Sequence, residues 1–224
     1  MISAHDLIGR THPTLRVSRS AVSRNLSGHP REVYADARHD GWGLGADLIR
    51  TVAREQSLAG VVGADGPEAF EGEVPPTFAV VTAAVAAGAL PQTLPAVTLS
   101  GEILGVKVLR AGESVSYGYT FTAAEDTRVA LVTGGYAQGI VRSLGNRLAV
   151  TVNGTRRPIV GRVAMDVCVV DIAATEAATG DDVVFLGDPE RGEPAWAEWI
   201  SLTGLGLEEL LPAIGNRTRR EVVA

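Results

Sequence analysis

The sequence predicts an α+β protein whose C-terminal part is mainly antiparallel sheet, and three observations carry that reading. From Ala96 onward strand-like runs follow one another closely, and two of them, 148–152 and 157–160, flank Asn153-Gly154, a pair that tolerates positive φ and favours a type I′ hairpin. Before Pro95, strand-like and helix-like stretches alternate instead, which is the pattern of a βα layer. Finally, Ile159, Val160, Val163, Met165, Val167, Val169 and Val170 lack helical spacing and are largely β-branched, so 157–172 reads as one or two buried strands.

In chain order, residues 14–18 alternate as a short strand, and Ser18 or Ser20 is placed to cap a helix running toward Leu26. Val33, Ala35 and Ala37 share one face of the next strand and Tyr34, Asp36 and Arg38 the other. Gly41, Gly43 and Gly45 end it, and Leu48, Ile49, Val52 and Ala53 give 46–56 a helical spacing. Residues 59–64 read as a strand, Asp65-Gly66-Pro67 as a turn and the acidic stretch 68–76 as a loop. A strand at 78–81 and a helix at 82–89 both suit the next stretch, and periodicity leaves that open; Pro91 and Pro95 mark a linker between domains 1–93 and 94–224. Further strands are expected at 98–109, 114–122, 128–133, 181–187 and 217–223, with short helices at 196–202 and 207–211.

With 224 residues, 46% of them apolar, the chain suffices for one good core or two small ones. A net charge of −6 and a pI near 5.3, without any basic cluster, exclude nucleic acid and anionic membrane as partners. The single cysteine, Cys168, lies in an apolar strand and has no partner for an internal disulfide, which fits a reducing compartment. No basic-then-apolar leader opens the sequence, and the apolar stretch 78–90 falls short of the roughly 20 residues a membrane helix needs, so a cytoplasmic protein with no membrane partner is expected. His5, His12, His29 and His39 show no ligand spacing, and no metal site is expected.

Gly112-Glu-Ser-Val-Ser-Tyr-Gly118 followed by an aromatic, then Gly134-Gly-Tyr-Ala-Gln-Gly139, then Pro158-Ile-Val-Gly-Arg-Val-Ala-Met-Asp166 occur in a fixed order and spacing. In both respects the chain resembles, from 94 to 223, the second domain of the alanine racemases, which interconvert L- and D-alanine with pyridoxal phosphate (PLP). The resemblance implies a C-terminal β domain of that type. It places Tyr117 at the family's catalytic acid/base, and Tyr136, Met165 and Asp166 at its substrate-binding positions. In the family these reach into the barrel of a partner subunit, so a dimer is implied.

The N-terminal part is similar to the opening of the family's barrel, a strand ending in Val-Lys-Ala-x-Ala-Tyr-Gly-His-Gly whose lysine holds PLP. Matching Gly43-Leu-Gly45 puts Trp42 at the cofactor-side tyrosine, Leu44 at the histidine and Arg38 at the lysine. An arginine, with a pKa above about 12, neither forms a stable Schiff base nor gives up its proton. Lys107, the only lysine, falls on a strand where the family also has basic residues, and it is expected to face solvent. A (β/α)₈ barrel takes about 250 residues, whereas 31–95 has room for about two of its units. A short truncated βα portion and no complete TIM barrel is therefore the expectation.

Two functions follow. The first is an alanine-racemase-like protein without racemase activity, needing no cofactor and acting as an interaction or ligand-binding protein, either as a homodimer or as a heterodimer with a full-length alanine racemase. The alternative is a PLP-dependent alanine racemase using Tyr117 as acid/base, which requires nearby positive charge to lower a tyrosine's usual value of about 10. Against it, Gln138 replaces the aspartate of the family's Tyr-Ala-Asp-Gly, and Asn216 its phosphate-contacting tyrosine. Structural roles are also available: Tyr117 as a half-buried strand residue, Met165 as core filler, Asp166 as a turn cap. Asp36 and Arg38 are placed to form an ion pair, and the 41–45 glycine run ahead of a helix is a candidate phosphate cradle.

Overall fold

Strand β1 (Thr14–Ser18) turns into helix α1 (Arg19–Leu26) at Ser18, whose Oγ accepts the Ala21 N–H at 3.2 Å and so satisfies one of the helix's free donors. The structure is a computed structural model that describes residues 12–224. Packing divides it into two units. One, the βα unit, comprises Arg16–Val97, Gly206–Asn216 and Arg220–Ala224; the other, the β unit, comprises the described residues up to Leu15, Thr98–Leu205 and Arg217–Arg219.

In the βα unit, β2 (Tyr34–Asp36) lies parallel to both β3 (Gly60–Gly63) and β5 (Val80–Val81), while β4 (Gly66–Ala69) runs antiparallel along the outer edge of β3. Helix α2 (Ala46–Glu55) buries Ile49, Val52 and Ala53, the face its spacing predicted, and packs on β2 and β3. Full burial of each larger aliphatic chain stabilises by about 1.5–3 kcal/mol. The buried Asn25 amide donates to the Leu94 carbonyl at 2.8 Å and accepts the Leu94 N–H at 2.7 Å, which fixes the proline-marked linker.

Three expectations change here. Residues 66–69 form β4 where a turn and loop were expected; Pro67, which has no N–H to donate, is tolerated because the strand is an edge. Both parts of the undecided stretch form, as β5 and as α3 (Ala83–Ala86). Arg38 is not on the strand, which stops at Asp36; Arg38–Trp42 instead winds as a left-handed turn with φ of 51° at His39, 56° at Asp40, 61° at Gly41 and 55° at Trp42. For non-glycine residues that conformation costs roughly 1–2 kcal/mol each.

The β unit is built on β6 (Val97–Leu109), a 13-residue strand. A short hairpin of β7 (Ser114–Val115) and β8 (Phe121–Thr122) follows, where one strand over 114–122 was expected. Positive φ at Ser116, Gly118 and Tyr119 turns the chain back there. Strand β9 (Thr127–Thr133) pairs with β6 and with β12 (Val167–Asp171). Strands β10 (Ala149–Val152) and β11 (Thr155–Pro158) meet through Asn153 and Gly154 at φ 46° and 75°, as a type I′ turn requires. The sheet path runs β11-β10-β13-β6, with β13 at Asp182–Leu186, and continues into β1 and then β14 (Arg219–Val223). Leu109, Val115, Ala123, Val129 and Val160 form a buried cluster, and Trp199 of α4 (Trp196–Thr203) buries its ring while its Nε1–H donates to the Phe185 carbonyl at 2.8 Å.

Helix α5 (Leu207–Gly215) is longer than expected and belongs to the βα unit, and one packing boundary falls between Val97 and Thr98. The α+β class holds, and the described strands form no closed barrel. No helix among the described residues is long and apolar enough to cross a membrane.

Candidate functional site

In the β unit, Tyr117 sits between β7 and β8 with 71% of its surface exposed, so it is not the half-buried strand residue its structural role supposed. Its loop is nonetheless fixed. Ser116 Oγ donates to the Arg162 carbonyl at 2.6 Å, the Asn146 carboxamide oxygen accepts the Gly161 N–H at 2.5 Å, and its Nδ2 donates to Thr120 Oγ1 at 3.2 Å. Gly161, at φ +78°, makes this possible, because a Cβ there would run into Ser116.

Backbone hydrogen bonds bring Tyr136, Met165 and Asp166 together. The Tyr136 N–H donates to the Ala164 carbonyl at 2.9 Å, Ala137 to Met165 at 2.9 Å and Gly134 to Asp166 at 3.0 Å. Gly135 leaves no room for a side chain against the Met165 carbonyl. Met165 is 55% exposed and is therefore not core filler; Asp166 is also exposed, and its carbonyl rather than its carboxylate closes the turn. The Arg142 guanidinium lies 5.6 Å above the Tyr136 ring, a cation–π contact. Gln138 is buried and its side-chain oxygen accepts the Gly135 N–H at 3.3 Å. Phenol, thioether and carboxylate are thus presented outward on a braced backbone.

In the βα unit the Asp36–Arg38 pair forms as expected. The buried Asp36 carboxylate accepts from Arg38 Nε at 2.9 Å, Nη2 at 2.8 Å and the backbone N–H at 3.1 Å. Burial alone would raise the Asp36 carboxyl; the Arg38 hydrogen bonds and charge outweigh it and hold the group below the usual carboxylate range. The same pairing raises the Arg38 guanidinium above its ordinary value. Trp42 lies edge-on to His39 with ring centroids 4.7 Å apart and 5.7 Å beneath the Arg38 guanidinium. Its indole N–H is buried beside Asp36 but has no aligned acceptor.

The glycine run does not offer a phosphate cradle. The Gly41 N–H donates to the Ala37 carbonyl, Gly43 to His39 and Asp40, Leu44 to Gly41 and Gly45 to Asp40, and the Ala46 N–H donates to the Asp40 carboxylate at 2.9 Å. Asp40 is itself held by Arg220 Nη1 at 2.6 Å, and Arg220 also donates to the Gly43 carbonyl at 3.0 Å. The chain's own carboxylate therefore sits at the α2 N-terminus, where an anion would bind. The space bounded by Asp36, Arg38, Trp42, Thr82 and Glu208 is about 130 Å³, against the roughly 300 Å³ at which ligand pockets begin. Without an amine, with the helix end filled and with so small a cavity, these residues do not fit PLP. Sequence reasoning missed Asp40 and Arg220, for nothing local announces a partner 180 residues away, and Asn146, whose partners lie 15 and 26 residues off in other turns. Among the described residues no three His, Cys, Asp or Glu side chains cluster to hold a metal.

A β unit with an exposed tyrosine hairpin held by Arg162 and Asn146, and beside it in sequence a Met-Asp turn bonded to 134–137, has the features of a racemase-type second domain. The pattern described as "Alanine racemase, C-terminal domain" matches residues 96–222, more than half of the sequence, and the chain belongs to the alanine racemase family. Alanine racemase of Mycobacterium avium (strain 104) is 50% identical over 129 residues, 57% of this chain and 33% of that protein. Alanine racemase of Thermobifida fusca (strain YX) is 39% identical over 131 residues, 58% of this chain and 35% of its own. The chain thus spans about a third of the length of these curated relatives. Among solved structures, alanine racemase from Streptomyces coelicolor A3(2) superposes with a TM-score of 0.82 at 17% identity, over 97% of this chain and 100% of that one. The enzyme from E. faecalis gives 0.79 at 16%, over 100% of both, and at such identities the likeness speaks to fold alone.

Proposed function

We propose that this chain is an alanine-racemase-like protein that presents Tyr117, Tyr136, Met165 and Asp166 to the barrel of a partner subunit and tethers no PLP of its own. The observation that carries this reading is the Arg38–Asp36 pair. At the position that the resemblance matches to the family's lysine stands a guanidinium engaged through two nitrogens by a buried carboxylate, and such a group cannot serve as an amine. The exposure of Tyr117 and Met165 supports the other half, since both are left outward-facing on a rigid backbone. The partner is a second copy, which brings no lysine of its own to these residues, or a full-length alanine racemase, in whose barrel Tyr117 takes up or delivers the substrate proton. The setting is the cytoplasm, and no cofactor resides on this chain.

Two measurements test it. After incubation with PLP and borohydride, intact mass is expected to show no pyridoxyl adduct; an adduct on Lys107 overturns the reading. Mixed with a racemase whose own second-domain tyrosine is changed to phenylalanine, the chain is expected to co-elute and restore turnover, and its Tyr117→Phe variant to co-elute without restoring it. Absence of both co-elution and restored turnover would refute the partner role.

A further inference from the structure

A groove between the β7–β8 hairpin and the main sheet of the β unit has a composition that the racemase reading does not use. Lys107 pairs across the ladder with Val129, Gly105 with Leu131, and Leu131 in turn with Val169. Directly paired residues project from the same face, and so do residues two apart, so these five positions form one surface. Val115 and Ser114 of the hairpin wall it, and the space is about 500 Å³, within the range of about 300–1,000 Å³ typical of small-molecule sites. The groove exists because β6 has a glycine at 105, where an added Cβ would meet no atom within 4 Å. Leu131 stays 41% exposed in its floor, on the same face as Val129, which is buried in a cluster with Val115.

One end of this trough is charged. Lys107 is the only lysine of the chain, and among the described residues it has no ion-pair partner. Asp171, in Val129's row on the neighbouring strand, is already engaged by Thr127 Oγ1 at 2.7 Å and the Ala173 N–H at 3.0 Å. An aliphatic trough ending in an unpaired ammonium fits a molecule with the same two halves, since the alkyl part leaves water and the carboxylate meets a charge.

We propose that this groove binds an aliphatic monocarboxylate, with its chain over Gly105 against Val115, Val129, Leu131 and Val169, and its carboxylate on the Lys107 ammonium. Titration of the full chain with hexanoate and octanoate, followed by calorimetry and by methyl NMR shifts, tests it. Expected are one-to-one saturation, shifts at those valine and leucine methyls, and tightening by roughly two- to fourfold per added methylene. Lys107→Met should weaken octanoate about tenfold, close to 1.4 kcal/mol. Gly105→Val should abolish binding by projecting into the trough, while melting like the wild type, because its Cβ meets no atom within 4 Å. Failure to saturate, octanol binding as tightly as octanoate, or unchanged binding in Gly105→Val would each overturn the proposal. So would acylation of Lys107 that falls as protein concentration rises, which would mean that a second copy covers the groove.

Discussion

Replacing Arg38 by methionine keeps most of the aliphatic stem and the backbone N–H that donates to Asp36, and removes the cation that two side-chain hydrogen bonds tie to it. Breaking a fully buried ion pair costs about 3–5 kcal/mol, because a charge is left without compensation. Asp36 is buried, but the Arg38 side chain is 48% exposed, so water reaches one end of the pair and the expected loss falls to about 2 kcal/mol at pH 7. For a chain of this size that lowers the melting temperature by about 4–8 °C. The sign of the pH dependence follows from Asp36, whose folded-state carboxyl lies below the usual range. In the wild type its contribution is fully present above the ordinary carboxylate value of about 3.9 and is lost as pH falls through the lower folded-state value. In the variant burial, which favours the neutral acid, is no longer outweighed by the guanidinium and is opposed mainly by the backbone N–H of residue 38, so acidification relieves part of the deficit. The gap between the two proteins, read from urea titrations, should therefore shrink from pH 7 to pH 4. A gap independent of pH, or none at pH 7, would refute the reasoning.

Other consequences can be measured directly. Asp40→Ala removes the acceptor for Ala46 and the partner of Arg220, and should cost about 1–2 kcal/mol at pH 7 with faster amide exchange at Ala46. Burial by itself would raise the Asp40 carboxyl, but the Ala46 N–H and Arg220 hold it below the usual range, so the Asp40→Ala deficit should fade as pH drops below about 4. Gly43→Ala puts a Cβ 2.6 Å from the Gly215 Cα at φ +87°, and overpacking with left-handed strain should together cost about 3 kcal/mol in thermal melts. Burial pushes the Cys168 thiol up to about 12, so a thiol reagent at pH 8 should label it only after unfolding; rapid labelling of the native chain would contradict that placement.

Much of this architecture was legible because local chemistry decides it. Asn153-Gly154 names its own hairpin, Ser18 its cap, and the period of Leu48, Ile49, Val52 and Ala53 its helix. The candidate site residues were singled out only through ordered motifs, and those motifs say nothing about exposure. Met165 looks like core filler by residue type, yet backbone bonds from Ala137 and a glycine at 135 pin its carbonyl and leave the side chain outside. The split of 114–122 turned on Ser116 and Tyr119 adopting positive φ, which neither residue type favours. Least legible was the closed glycine run. Asp40 alone reads as a loop carboxylate; it becomes a plug only because Arg220, contributed by the end of the chain, holds it in place.

That late contribution bears on how the protein is made. Residues 206–216 and 220–224 complete the unit that 16–97 begin, and Gly43 and Gly215 lie backbone to backbone within it. During synthesis the first segment must therefore wait, its glycines uncovered, while the whole intervening sheet is translated, and a polypeptide halted at the proline linker would lack the helix that covers it. The order in which the ribosome releases this chain is not the order in which its parts can finish folding.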